Sequence, residues 1–427
     1  MKNFFEPETV AIIGASDNEN KVGGILVKKV SASGRQVVLV NPKHDFIRGI
    51  KVYNKITDFK GNIDLAIIAV PAPIVFSVLE ECAEKGIKDI IIISAGFSES
   101  ENLEEEKKIA EFAEKKNIRI LGPNCFGICN PYMKLDLTFS ASMPEKGNIA
   151  FVSQSGALWS FISDFSIEKF GFSGFASLGN MADLEFSDFI DYFSKDRRTD
   201  AIILYIEKLK DGKRFIEMCK KCKKRIFAVK AGSSKEGSKA AISHTGSLAT
   251  DFAVYKGALK QAGVFLCDSL EEAFSKATGK ELIEKKSTQK LGKHGKKVFI
   301  ITNAGGAGIL AADYLFDSGF EVTQVSDFKN PLDLIGTALS SDYASAFEKI
   351  VDKKFYDFIV VIVAPQSMTD SDKIAEEIAA FSKKAGKKVI ALFAGGKSVF
   401  KATEILRENK ISCFNTLDEF RVALKNK

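Results

Sequence analysis

Across its 427 residues the sequence has no apolar run approaching the roughly 20 residues that a membrane-spanning helix needs. Its start, MKNFFEPETV, has no basic segment followed by a long apolar one, so the expectation is a cytoplasmic protein without leader or anchor. A disulfide framework is also missing. The seven cysteines are scattered as reduced thiols would be, and Cys219 and Cys222 form a CxxC with no second pair at ligand spacing, which reads as helix packing and not zinc. With a net charge of +6, basic residues do not gather into a stripe; they interleave with acidic ones, as in EEEKKIAEFAEKK, the pattern of solvated helix faces and not of a nucleic-acid surface. Histidine is scarce too. Only His44, His244 and His294 occur, so imidazole chemistry has few places to be.

The chain is longer than one hydrophobic core usually organises, and a composition of 45% hydrophobic and 27% charged residues is that of folded globular domains. Three segments have the form of a buried strand ending in small residues before an amphipathic helix: VAIIGAS from Val10, IAFVSQSGAL from Ile149 and VFIITNAGGAG from Val298. After each, short apolar strands alternate with helical patterns, which predicts an α/β fold of three doubly wound parallel domains. The first, residues 1–143, is Rossmann-like; the second, 144–283, and the third, 298–427, are flavodoxin-like, and the lysine-rich stretch 284–297 is a linker. Ligands in such sheets bind beyond the carboxyl ends of the strands, where the small-residue turns fall.

In the first domain, Gly14-Ala15-Ser16 end a strand, and a small turn there lets backbone N–H groups approach a phosphate. The spacing is not GxGxxG. The second strand ends Asn41-Pro42-Lys43, where an NAD protein would place an acid for the ribose, so Lys43 favours a phosphate instead. Further tight turns occur at SAGF, from Ser94, and GPNC, which holds Asn124 and Cys125; a phosphate-rich nucleotide such as coenzyme A suits the set.

In the second domain, His244 lies in AGSSKEGSKAAISHTGSLA, whose Gly/Ser content predicts a flexible loop able to carry a side chain between places. Imidazole is a competent nucleophile towards phosphorus. Glu207, at the end of AIILYIE, could orient the ring, and the turn Ser153-Gln154-Ser155-Gly156 ahead of a helix could hold a phosphate; a plain loop histidine is the competing reading. His294 reads as solvated linker and His44 as an exposed loop residue beside the phosphate turn.

With those residues in hand, the chain resembles the alpha subunits of ADP-forming acetyl-CoA synthetases, relatives of the succinyl-CoA synthetase alpha subunit. SHTGSL at Ser243 to Leu248 is similar to the family's phosphohistidine motif; GPNCFG, SQSGAL, SLGN and YIEKLKDG support it, and TNAGGAG and NPLDL resemble the third domain of the acetate-forming branch. The resemblance implies phosphorylation at His244 with Glu207 in support, and phosphate held by Ser153, Gln154, Ser155 and Gly156, with Asn180 near the acyl or phosphate site. CoA would lie against Gly14, Ser16, Asn41, Lys43, Val70, Ser94, Asn124 and Cys125, the last structural and not nucleophilic.

The implied reaction is acyl-CoA, phosphate and ADP giving carboxylic acid, ATP and CoA through an acyl phosphate and a phosphohistidine. Acetate is the family's commonest acid, with aryl and branched acids open. The chain ends at Lys427 without an ATP-grasp domain, so an ATP-grasp beta subunit holding Mg²⁺ and ADP is expected, in a heterotetramer of two alpha and two beta chains. No metal site is expected on this chain. An NADP-dependent oxidoreductase, a non-enzymatic CoA-sensing protein and a protein acyltransferase are the other readings.

Overall fold

The computed structural model describes residues 1–100, 102–245, 251–282, 295–324 and 328–425, with the side chains of 243–245 excepted. The proposed linker lies outside the described residues except at its end, where Lys297 already opens a strand, and His294 lies outside them as well.

Three sheets form, each seeded by one of the small-residue openings. In the first, Thr9–Ile13 lies between Gln36–Val40 and Leu65–Ile68, with Asp89–Ile92 and Arg119–Leu121 following outward, all parallel. Runs such as TVAII and LAII are buried throughout, as strands covered on both faces must be. A small antiparallel hairpin, Phe46–Ile47 with Ile50–Tyr53, extends the other edge; its turn residues Arg48 and Gly49 have φ of 52° and 76°, the geometry of a tight two-residue hairpin.

The second sheet places Phe172–Ser177, Lys146–Ser153, Ala201–Ile206, Arg225–Lys230 and Phe265–Leu266 side by side in parallel, a flavodoxin-like 2-1-3-4-5 order. Two short strands, Ile128–Asn130 and Leu135–Asp136, join its far edge in antiparallel fashion. The sheets therefore do not divide at residue 143: the chain enters the second sheet some way before the strand Lys146–Ser153. Pairing across the sheet, which leaves no mark on local sequence, decides this.

The third sheet repeats the 2-1-3-4-5 order with Glu321–Val322, Lys297–Thr302, Phe358–Val363, Lys388–Phe393 and Ser412–Phe414, while Leu332–Asp333 pairs beside the end of the central strand. The second and third domains pack together through their first helices, Ala157–Phe165 and Gly305–Asp317. Under the second sheet's helix, the Trp159 ring stacks on Phe175 with centroids 4.0 Å apart. The first domain is tied in by Lys29, whose ammonium donates to Asp136 and to the Ser140 carbonyl, both at 2.6 Å. Among the described residues no helix is long and apolar enough to cross a membrane.

Candidate active site

Strand ends of all three domains open toward one cavity of about 1210 Å³: in the second and third domains those of the central strands, in the first those of Leu65–Ile68 and Asp89–Ile92 beside it. From the first domain Val70, Ser94, Asn124 and Cys125 line it; from the second Gln154, Ser155 and Gly156; from the third Asn303, Gly305 and Gln366. Seven of the residues expected from sequence thus share one space.

On the first-domain side the turns are built by close backbone approach. Gly14 has a φ of 90°, and a Cβ there would sit 2.3 Å from the Ala69 carbonyl oxygen and 3.0 Å from Val70, so only glycine lets the two strand ends meet. The Ser94 hydroxyl donates to the Val70 carbonyl at 2.5 Å and accepts from the Val70 N–H, knitting adjacent strand ends. Asn41 spans two turns, donating to the Ala15 carbonyl at 2.7 Å and accepting from the Lys43 N–H at 2.9 Å. Ser16 accepts from the Asn18 N–H. Gly14, Ser16, Asn41 and Lys43 do not line the cavity itself; they sit at the neighbouring ends of the first two strands, with Lys43 exposed. Cys125 is buried and its thiol donates to the Ile92 carbonyl at 3.3 Å; burial pushes its pKa up to about 12, which keeps it a thiol.

Asn180 stands one step behind the cavity. Its amide N–H groups donate to Glu99 at 2.5 Å and Glu106 at 2.7 Å, and its oxygen accepts from Asn124 at 3.2 Å. Two carboxylates thereby fix the Asn180 amide, and that amide braces Asn124. Asn180, expected near the acyl or phosphate site, thus does not line the cavity, whereas Asn124 does.

On the second-domain side the turn after Lys146–Ser153 is held internally. Ser153 is fully buried and its hydroxyl donates to the Ser155 carbonyl at 2.6 Å, so it shapes the turn and does not face the cavity, contrary to its expected place around phosphate. The Gln154 side-chain oxygen accepts from the N–H groups of Glu207 at 2.6 Å and Lys208 at 2.8 Å, clamping the turn to the next strand end. Glu207 is buried there. Close to it lies Lys230, whose ammonium donates to the Ala231 carbonyl and stands 4.5 Å from the centre of the Tyr255 ring. Burial lowers the Lys230 pKa to about 8, against the opposing charges of Glu207 and Asp313.

The cavity is bounded at this point by two helix starts. Ala157–Phe165 begins at Gly156 and Gly305–Asp317 at Ala304. They meet closely: a Cβ on Gly306 would lie 2.5 Å from the Ser155 side chain and 2.9 Å from the Tyr205 hydroxyl, which donates to the Gly306 carbonyl at 3.0 Å. Two helix N-termini, with their dipoles, meeting at one space suit an anion. The sequence reading had missed the third-domain half of it.

The segment expected to be a flexible loop is not one over its first part. Lys235–Thr245 is a helix, with His244 in its last turn; the His244 side chain and residues 246–250 lie outside what is described. The helix forms because its start is capped: the Ser234 hydroxyl accepts from the Gly237 N–H at 2.9 Å, and Asp313 of the third domain accepts from the N–H groups of Gly232, Ser233 and Ser234. That partner lies some 80 positions away, beyond what local composition conveys.

Comparison with known proteins agrees with this layout. Residues 8–131 match the family model for a CoA binding domain, and 146–278 that for a succinyl-CoA ligase like flavodoxin domain. The chain is 40% identical to an acetate–CoA ligase [ADP-forming] II subunit alpha of Pyrococcus furiosus, covering 98% of this chain and 95% of the relative. It is 41% identical to an acetate–CoA ligase [ADP-forming] of Methanocaldococcus jannaschii, where it covers 97% of this chain but spans 61% of the relative's length. Among solved structures, the dinucleotide forming acetyl-coenzyme A synthetase 1 of Ca. Korarchaeum cryptofilum, in complex with phosphate and ADP, matches at 30% identity with a TM-score of 0.63, covering 99% of this chain and 95% of that one. The chain belongs to the ADP-forming acetate–CoA ligases, a family of acid–thiol ligases, and corresponds to their alpha subunit.

Proposed function

We propose that this chain carries out the acyl-CoA half of an ADP-forming acyl-CoA synthetase in the cytoplasm and hands the phosphoryl group to a nucleotide-binding beta subunit through His244. A phosphate oxygen attacks the thioester carbonyl, the C–S bond breaks, and CoA leaves as a thiolate that takes up a proton. An imidazole nitrogen of His244 then attacks the phosphorus of the acyl phosphate; the P–O bond to the acyl group breaks and the carboxylate leaves. The phosphohistidine finally yields its phosphoryl group to the terminal oxygen of ADP, regenerating the imidazole. Mg²⁺ accompanies the nucleotide on the beta subunit, where it would neutralise charge on the phosphates.

The observation that carries this reading is the single cavity joining the first domain's strand ends to two converging helix starts. Thioester and phosphate can meet there while both remain bound. Gly156 and Gly305 at those starts hold the phosphate, Glu207 fixes the tautomer of His244 and stabilises the charge that develops on it, and Lys43 pairs with a CoA phosphate. A nicotinamide reading would leave the second and third domains without work. Two alpha and two beta chains form the assembly.

The test is to mix the chain with its beta subunit and Mg-ATP bearing a labelled terminal phosphate. A phosphoramidate survives base and is lost in acid, unlike a serine ester, so a base-stable label that maps to His244 and vanishes in His244→Asn is expected. A base-stable label that persists in His244→Asn overturns the mechanism.

A further inference from the structure

Asp313 lies on the third-domain helix Gly305–Asp317, is buried, and accepts four hydrogen bonds from the segment that leads into the His244 helix. The N–H groups of Gly232 and Ser233 reach one carboxylate oxygen at 2.8 and 3.2 Å; the N–H and hydroxyl of Ser234 reach the other at 2.7 and 2.6 Å. Gly237 completes the fit, since a Cβ there would stand 1.9 Å from an Asp313 oxygen. The same third-domain helix places Gly305 on the cavity lining, at the helix start where the proposed function puts the phosphate. One rigid rod therefore holds the phosphate at its start and the base of the histidine carrier two turns later, about 12 Å along at 1.5 Å per residue.

We infer that Asp313 is a positioning residue for phosphoryl transfer: it pins the pivot of the His244 helix to the helix that binds phosphate. This rests on His244 being the phosphorylated residue. From that pivot to His244 the helix extends on the order of 15 Å, so a small tilt at its base becomes a displacement of ångströms at the imidazole, enough to spoil an in-line approach. Asp313 touches neither CoA nor phosphate; it acts through the carrier.

A built-in control exists. Asp164, on the second domain's first helix, accepts from the N–H groups of Gly396 at 2.5 Å and Ser398 at 3.2 Å, and from the Ser398 hydroxyl at 2.6 Å. It latches the same interface in the opposite direction, onto a third-domain loop with no carrier helix.

The experiment compares Asp313→Asn, Gly237→Ala and Asp164→Asn in the complex with the beta subunit, labelling His244 from acetyl-CoA and radioactive phosphate without ADP. Asn cannot accept from donors on both sides, and the Gly237 methyl displaces the carboxylate without changing charge. Both variants are expected to label at least about tenfold more slowly, with CoA affinity within about twofold of wild type, while Asp164→Asn labels at the wild-type rate despite a comparable drop in Tm. Equal losses in Asp313→Asn and Asp164→Asn, or wild-type labelling in Asp313→Asn, would overturn the inference. Absence of base-stable label on wild-type His244 would instead remove the reading on which it rests.

Discussion

The second and third domains have the same build, and the proposed transfer chemistry falls on only one of them. Both have the 2-1-3-4-5 strand order, and after the first strand both chains make the same turn: the Ser153 hydroxyl donates to the Ser155 carbonyl and the Thr302 hydroxyl to the Ala304 carbonyl. Gln154 clamps the third strand's end at Glu207, and Asn303 clamps its counterpart at Ala364 by exchanging hydrogen bonds of 2.8 and 3.0 Å. Eleven residues after each first strand stands the latch, Asp164 or Asp313. The last helices match as well: Ser269 and Thr416 cap them, and Glu272 and Glu419 reach back to the N–H groups of Asp268 and Asn415.

Against that common frame the differences are few. Where the second domain has Glu207 the third has Ala364, and where it has Lys230 the third has Phe393. The helix following Lys230 carries His244. The third domain has the helix start on the cavity and lacks the two charged groups that the second domain has near its strand ends. In the proposed function, shared architecture thus supplies the anion site twice over, while a handful of side chains supplies the transfer.

The sharpest way to break the comparison is to make the second domain's strand end like the third's. Glu207→Ala should slow His244 labelling by on the order of a hundred- to a thousandfold, because an unoriented imidazole is a poorer nucleophile and base partner. Rapid-quench labelling measures it; a rate within about threefold of wild type would mean that Ala364 and Glu207 are functionally alike.

Next in size is the shared anion site. Gly306→Ala adds a carbon 2.5 Å from the Ser155 side chain and should force the two helix starts apart. Acyl phosphate formation from acetyl-CoA and phosphate is expected to fall about a hundredfold with roughly 1–3 kcal/mol of lost stability. Unchanged acyl phosphate formation would show that the third domain contributes only packing.

Lys43 lies outside both domains and separates docking from transfer. Lys43→Glu should weaken CoA about tenfold to a hundredfold in calorimetry, the worth of a charge-assisted contact, while labelling of His244 from Mg-ATP stays normal. Unchanged CoA affinity would remove Lys43 from the site.

The duplicated frame was half legible in the sequence. The openings at Val10, Ile149 and Val298 are each a central strand, because an apolar run closed by small residues is what a buried parallel strand and its ligand-facing turn require. Val70, Ser94, Asn124, Cys125 and the turn Gln154 to Gly156 do share one cavity. What could not be read were effects of distant partners. The helix at Lys235–Thr245 owes its start to Asp313, the Ser153 hydroxyl is consumed by its own turn, and the short edge strands exist only by pairing. Equal spacing of Asp164 and Asp313 is visible in the sequence, yet means nothing until each is seen to cap the other domain's loop.

The smallest predicted effect comes from the symmetry itself. Equivalent positions on the two last helices are brought face to face, and they are Glu271 and Asp418, both buried. The Asp418 N–H donates to Glu271 at 3.3 Å, and Arg421 pairs with Asp418 at 2.6 Å, leaving Glu271 the poorer-served carboxyl. Burial, then the Asp418 charge, raises the Glu271 pKa from 4.5 to about 7. For an acid whose folded pKa is raised, the native state binds the extra proton between those two values. Stability from this group is therefore fully present below about 4.5 and is lost as pH rises toward about 7. The loss is at most about 3 kcal/mol, and less if the pair relaxes. Calorimetric melting across that window should show the wild-type Tm falling relative to Glu271→Gln, which keeps the shape without the charge. Parallel Tm profiles for the two proteins would mean that Glu271 ionises as freely in the folded chain as in the unfolded one, and that the meeting of equivalent carboxyls carries no penalty.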